Sequence, residues 1–167
     1  MVAYPTYYAG QILTADLLAA SQPNTVFKAS DETVTSSTTL QDDNHLILPL
    51  AANAVYTVQG CLFYDGQYNA GNIKLTWSLP ASATIFWSAN GPATGGAAAF
   101  GSQAVTSGNI TIGTYGTGGS KTTALVMATV TTFATAGNMT LRWAQDASHA
   151  TPTTIYAGSW LRSIRTS

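Results

Sequence analysis

The sequence predicts an all-β protein, a jelly-roll-type β-sandwich of about eight to ten strands with an N-terminal arm and short helix. Three observations carry that reading. From residue 25 onward, runs rich in Val, Ile, Thr, Tyr, Phe and Trp are separated at short intervals by clusters of Gly, Asn, Pro and Asp. Several of these runs alternate apolar and polar residues, the period of a half-buried strand. One turn-plus-strand pattern also occurs twice, which suits a fold built from two Greek-key halves.

Composition sets the bounds. Only 8% of residues are Asp, Glu, Lys or Arg, against about 25% in an ordinary soluble domain. The surface must be covered by Thr, Ser, Ala, Gly, Asn and Gln, a neutral skin that keeps copies apart poorly. That predicts a subunit of an assembly. A length of 167 residues, 46% hydrophobic content and four Trp suffice for one real core and exclude the disordered class. A net charge of −1 offers no basic face, so no nucleic-acid partner is expected. No stretch has the length and hydropathy of a membrane span, so no membrane insertion is expected. Cys61 is the only cysteine, which excludes a disulfide within one chain and a four-cysteine metal site. The opening MVAYPTYYAG lacks the basic and apolar regions of a secretory signal, and synthesis in a cytoplasm is expected.

Residues 1–22 form the first expected unit, an arm and a short anchoring helix, and residues 23–167 the second, the sandwich. Tyr4, Tyr7 and Tyr8 surround Pro5, which favours extended backbone before it. Thr14 is placed to cap a helix whose first turn holds Asp16. Leu13, Leu17 and Leu18 make a narrow apolar stripe, and Pro23 ends the run. A two-turn helix is marginal alone. Tyr4, Tyr7, Tyr8, Gln11, Leu13, Leu17 and Leu18 are therefore the candidate docking and oligomer contacts. Strands are expected over 25–29, 45–50, 54–64, 72–79, 83–89, 98–105, 109–113, 122–133, 138–145 and 153–165.

Two of these strands echo one another. Ala70-Gly71-Asn72-Ile73-Lys74-Leu75-Thr76-Trp77 matches Ala136-Gly137-Asn138-Met139-Thr140-Leu141-Arg142-Trp143. In each copy the apolar residues and the Trp share one face, opposite Lys74 or Arg142. The spacing predicts two equivalent hairpins, over 54–79 and 122–145, with Gly-Asn supplying positive φ. Gly-Asn turns and Trp-ended strands are also common enough to coincide, and equivalence is the stronger of the two readings.

Chemical motifs are sparse. Gly116-Thr117-Gly118-Gly119-Ser120-Lys121-Thr122 lacks the Gly before Lys that a phosphate loop requires, and reads as a hairpin loop. Asp42, Asp43 and His45 form the one cluster of metal-ligand type; a calcium loop wants more oxygen donors at alternating positions, and a solvated turn is expected. His149 lies in a polar loop near Asp146, with no nucleophile elbow in the chain. Cys61, beside Leu62 and Phe63, is expected to be inert core. Tyr64 and Tyr68 flank Asp65-Gly66-Gln67, and Trp87 sits near Asn90; these three aromatics are candidate glycan contacts, weighed against the plainer reading as core and edge residues. No catalytic residue, metal or cofactor is expected, and the chain is not expected to be an enzyme.

Tyr8-Ala9-Gly10-Gln11-Ile12-Leu13-Thr14-Ala15-Asp16-Leu17-Leu18 resembles the YxAGQxLTAxxLN opening of small structural proteins of tailed phages that infect Actinobacteria. The body is similar as well: Ala29 through Asp43, Leu48-Pro49-Leu50-Ala51-Ala52-Asn53-Ala54-Val55-Tyr56, Leu141-Arg142-Trp143-Ala144-Gln145 and Ala157-Gly158-Ser159-Trp160-Leu161. Ala19 stands where that pattern has Asn, which puts the helix end in doubt. The resemblance implies a virion component on the tail or capsid surface, made in the host cytoplasm. Its implied partners are copies of itself, with a trimer favoured, other phage structural proteins, and a candidate host cell-surface glycan. The first expectation is an accessory protein at the tail tip or fibre, since no shaft repeat is present to build a long fibre. The alternative is a capsid decoration or head-fibre protein. A carbohydrate-binding or cell-wall-degrading tail protein ranks third; hydrolysis would need a carboxylate pair.

Overall fold

A computed structural model describes residues 7–15, 17–18, 22–95, 100–116 and 121–166, and for 100–105 the backbone alone. Among the described residues the strands are β1 (Asn24–Phe27), β2 (Glu32–Val34), β3 (Gln41–Leu50), β4 (Val55–Asp65), β5 (Ile73–Ser78), β6 (Thr84–Pro92), β7 (Phe100–Val105), β8 (Ile110–Ile112), β9 (Thr122–Thr131), β10 (Gly137–Gln145), β11 (Thr153–Ile155) and β12 (Trp160–Arg165). They form two antiparallel sheets, so the protein is an all-β sandwich. The smaller sheet runs β3-β10-β5-β8 and the larger β1-β12-β4-β9-β6-β7, with β11 and β2 added beside β4. Within these, β3-β10-β5-β8 facing β4-β9-β6-β7 is the strand order of a jelly roll, the chain crossing between layers at most connections.

The core lies between the sheets because each strand presents alternate residues to it. Ala124, Val126, Ala128 and Val130 of β9 point inward; Thr123, Leu125, Met127 and Thr129 point out. Leu46, Leu48 and Leu50 of β3, Ile73 and Leu75 of β5, and Met139, Leu141 and Trp143 of β10 meet them from the other layer. Trp77 is half-buried and packs edge-on against Trp87, ring centres 5.8 Å apart. Opposite the core, Lys74 Nζ donates to the Thr38 carbonyl at 2.9 Å, and Arg142 Nη2 donates to the Leu40 carbonyl at 3.2 Å. Both outer-face cations thus hold the loop before β3 against the small sheet.

The echo is a real equivalence, but not of hairpins. Its strands divide between the layers: β4 and β9 lie in the large sheet, β5 and β10 in the small one. The two units instead pair with each other, β4 with β9 and β5 with β10. Thr76 and Arg142, equivalent members of the echo, sit directly opposite one another. Gly60 and Val126, separated by the same spacing, do so in the other sheet. The repeated units are therefore related by a local two-fold axis through the sandwich. Nor do the Gly-Asn steps supply positive φ: it is Asn69, with φ of 56°, that does so before β5, and no residue does at the second copy.

Three element boundaries also differ from expectation. β3 begins at Gln41, not in a solvated turn, because Asp43 faces inward. β2 is a three-residue strand that pairs β11. The run 153–165 is two strands, broken where Gly158 takes φ of +89° and its N–H bonds the Lys28 carbonyl.

Candidate functional site

The N-terminal contacts divide at the edge of the described residues. Tyr4 lies outside them. Thr14 caps as expected, its Oγ1 accepting from the Leu17 N–H at 3.3 Å, and its carbonyl accepts from Leu18 N–H. Tyr7 Oη donates to the Leu17 carbonyl, and the Gln11 side chain accepts from the Tyr8 N–H. These bonds are all local. Tyr7, Tyr8, Leu13 and Leu18 remain exposed, as does Ile12 at 83%, and none joins the core cluster. Leu17 is half-buried.

A second apolar surface is the outer face of the large sheet. Register places Phe27, Trp160, Cys61, Leu125 and Asn90 in one row across β1, β12, β4, β9 and β6. The next row is Thr25, Arg162, Gln59, Met127 and Ser88. Beyond it, Ile164, Thr57, Thr129 and Phe86 line a shallow groove of about 310 Å³ with Met127. Phe27, Phe86, Leu125 and Met127 are each more than half exposed. Arg162 is the one charged side chain in these rows. Cys61 belongs to this outer face, half-buried and a free thiol, rather than to the core. Burial pushes its pKa up, which keeps it protonated and unreactive.

The candidate glycan aromatics do not form a surface. Tyr64 and Trp87 are core residues. Tyr64 Oη donates to the Gly113 carbonyl at 2.6 Å, and its pKa is driven far up by burial and, secondarily, by the negative charge of Asp65. Strand alternation sends Trp87 inward and leaves Phe86 outside. Only Tyr68 is exposed, edge-on to Tyr115 with ring centres 6.0 Å apart.

The polar residues are braces. His149 Nδ1 accepts from the Thr151 N–H, which engages the imidazole within its loop, and the His149 backbone N–H donates to Gln145 Oε1. Asp146 Oδ1 accepts from Thr111 Oγ1. The loop at 116–122 is described only at its ends; there Lys121 Nζ lies 4.2 Å from the centre of the Tyr156 ring.

Asp43 is the residue whose placement departs most from expectation. It is buried, and its Oδ2 lies 2.7 Å from Lys28 Nζ, with both side chains wholly inaccessible. Lys28 Nζ is also 2.7 Å from Glu32 Oε2. Asp43 Oδ2 accepts from Trp143 Nε1 at 3.2 Å, and Oδ1 accepts from the His45 and Leu46 N–H groups, each at 2.9 Å. Glu32 Oε1 is held by Gln41 Nε2. Glu32, Asp43 and His45 offer ligand atoms within 4.8 Å of one another. The Lys28 ammonium, however, already stands between the two carboxylates and supplies the positive charge a metal would bring. Lys28 escaped the sequence reading, although its signal was there: it follows Val26 by two residues, on the inward face.

No family model matches the chain, and no curated protein matches it in sequence. Among solved structures it is similar to VP2 of infectious bursal disease virus. The D431N mutant in T=1 particles matches with a TM-score of 0.24 and 9% identity, over 86% of this chain and 39% of that one. The Gt strain structure matches with a TM-score of 0.23 and 8% identity, over 87% and 41%. The chain thus spans less than half the length of either. A likeness this slight adds nothing to what the strand order establishes.

Proposed function

We propose that this chain is a non-enzymatic structural protein of a tailed-phage virion, a homotrimeric accessory subunit at the tail tip or fibre. One observation supports this most: a protein with almost no surface charge carries two separate exposed apolar surfaces. Exposed Tyr7, Tyr8, Ile12, Leu13 and Leu18 form the first, and Phe27, Phe86, Leu125 and Met127 the second. Contiguous apolar surface of this kind marks contact with another protein. In this reading the arm docks on the particle and copies of the chain shelter one another. The resemblance of its opening and body to phage structural proteins supports the same assignment.

Deleting residues 1–22 tests the docking role. The truncated protein should fold with an unchanged β-type circular dichroism spectrum yet be absent from purified particles. Normal incorporation of the truncated form would refute docking by the arm. Antibody labelling of intact virions tests location: label on the tail is expected, whereas label over the head would replace the tail reading with a capsid decoration. Measured release of sugar from host cell-wall glycan by the purified protein would refute the non-enzymatic reading.

A further inference from the structure

We propose that Lys28 and Asp43 condense into an intramolecular amide, with Glu32 carrying the proton. The bond would tie the end of β1 in the large sheet to β3 in the small one. The inference goes beyond the virion reading and is independent of it.

The geometry has each part the reaction needs. The amine and the carboxyl touch at 2.7 Å with no access to solvent. Condensation of an amine and an acid is opposed in bulk water, where hydrolysis has water in excess. A dry site that holds the partners together removes that opposition, and well-oriented intramolecular pairs reach effective concentrations of about 10⁵–10⁸ M. Removal from water also narrows the gap between the ion pair and the neutral amine–acid pair, because both charges lose their hydration. Asp43 Oδ1 accepts two backbone N–H bonds, from His45 and Leu46. That is the arrangement that stabilises an oxyanion as a carbonyl is attacked. Glu32 Oε2 lies 2.7 Å from the amine, placed to take its proton, and Gln41 Nε2 and the Asn44 N–H hold that carboxylate in position.

The step balances without any other reactant. The Lys28 ammonium gives a proton to Glu32, and Nζ attacks Asp43 Cγ. Charge gathers on Oδ1 between the two N–H groups. The Nζ–Cγ bond forms and the Cγ–Oδ2 bond breaks. Oδ2 takes two protons in all, relayed from the nitrogen through Glu32, and leaves as water. Glu32 ends as the carboxylate it was at the start. Nothing is oxidised or reduced. β1 has four residues and pairs β12. A covalent link directly after it would anchor the arm to both sheets rather than to one short edge strand.

The test is mass spectrometry of the purified full chain after incubation in neutral buffer. The expected intact mass is lower than the sequence mass by one water. Glu32 is the only glutamate, so cleavage after it in denaturant should leave residues 1–32 and 33–167 joined on a denaturing gel. A folded protein that keeps its full sequence mass and separates into two fragments would overturn the proposal. So would a loss of water with separable fragments, which would place the loss elsewhere, for instance in a succinimide at Asp65-Gly66. Glu32→Gln, which keeps the shape of the side chain, should retain the full mass with an unchanged circular dichroism spectrum. Lys28→Arg keeps the positive charge and removes the nucleophilic amine, and it too should retain the full mass. Loss of water from Glu32→Gln at the wild-type rate would overturn the role of Glu32.

Discussion

Trp143 shows how much can rest on one side chain. Its ring is wholly buried in the small sheet, and its N–H donates to Asp43. Trp143→Ala removes that packing and a donor to a buried carboxylate together, so a loss of about 3–5 kcal/mol is expected, a large part of the ~5–15 kcal/mol a domain has. Trp77→Ala should cost less, because Trp77 is only half-buried and its Nε1 makes no hydrogen bond among the described residues. Urea titration of the two variants checks the order. Arg142→Ala should cost only about 1 kcal/mol: the charge contact with Asp42 at 2.7 Å has both side chains more than a third exposed and is worth little in water, so the loss is chiefly the hydrogen bond to the Leu40 carbonyl. Asp65 carries a pH prediction. Burial raises its pKa, and the Gly66 N–H offsets part of that rise. A carboxyl whose folded-state pKa is raised binds its proton more tightly folded than unfolded. Its ionised form therefore costs stability at neutral pH, and the cost disappears as pH falls through the raised value and below the ordinary carboxylate range near about 4. Asp65→Asn keeps the oxygen that accepts from Gly66. It should raise the melting temperature at pH 7, with the gain over wild type shrinking as the buffer is acidified.

At the scale of the element, β4 decides how the large sheet closes. It is flanked by β12 and β9, and Gly60 sits where they come together. A Cβ there would lie 2.5 Å from Leu161 Cδ2 and from the Trp160 carbonyl oxygen. One of those contacts is rigid backbone, so Gly60→Ala should destabilise by roughly 1–3 kcal/mol, the usual cost of overpacking. Gly137→Ala is the contrast, since the nearest atoms belong to Pro80 at 3.4 Å and the backbone has no positive φ. Paired thermal melts should show a clear fall for the first and a small change for the second. Element types were legible where alternation was long, as in β5, β9 and β10. They were not legible in β2 or in the first half of β3. Glu32, Asp42, Asp43 and Asn44 look like turn residues in the chain; pairing with β11 and β10 makes strands of these segments, and the buried Lys28 just after β1 neutralises Glu32 and Asp43.

At the scale of the whole molecule, the sandwich satisfies its own core and leaves the arm and one sheet face uncovered. The truncation lacking residues 1–22 should melt within a few degrees of the full chain, because no described residue before 22 belongs to the core cluster. A large drop in melting temperature would mean that the arm packs on its own sandwich. The candidate site was only half legible for a related reason. Hydrophobic excess in Tyr7, Tyr8, Leu13 and Leu18 can be read from residues alone, and these are exposed. Tyr64 and Trp87 could not be told from surface aromatics, because either phase of an alternating strand fits them until the opposite sheet is in place. Phe27, Phe86 and the pair Leu125 and Met127 come from three different strands, β1, β6 and β9, and become one surface only through register.

By itself the sequence determined the all-β class, most strand positions, the paired Trp-ended units and the scarcity of charge. Each of these is local or compositional: a two-residue period, a turn residue, a count. The tertiary structure decided which sheet each strand joined, that the repeated units pair with each other rather than fold as hairpins, and that Lys28 meets Asp43. Those outcomes depend on contacts between residues far apart in the chain. Lys28 and Asp43 show the reason most plainly. Each alone reads as a solvated charge, and burial becomes tolerable only when the fold brings opposite charges and backbone donors to the same point.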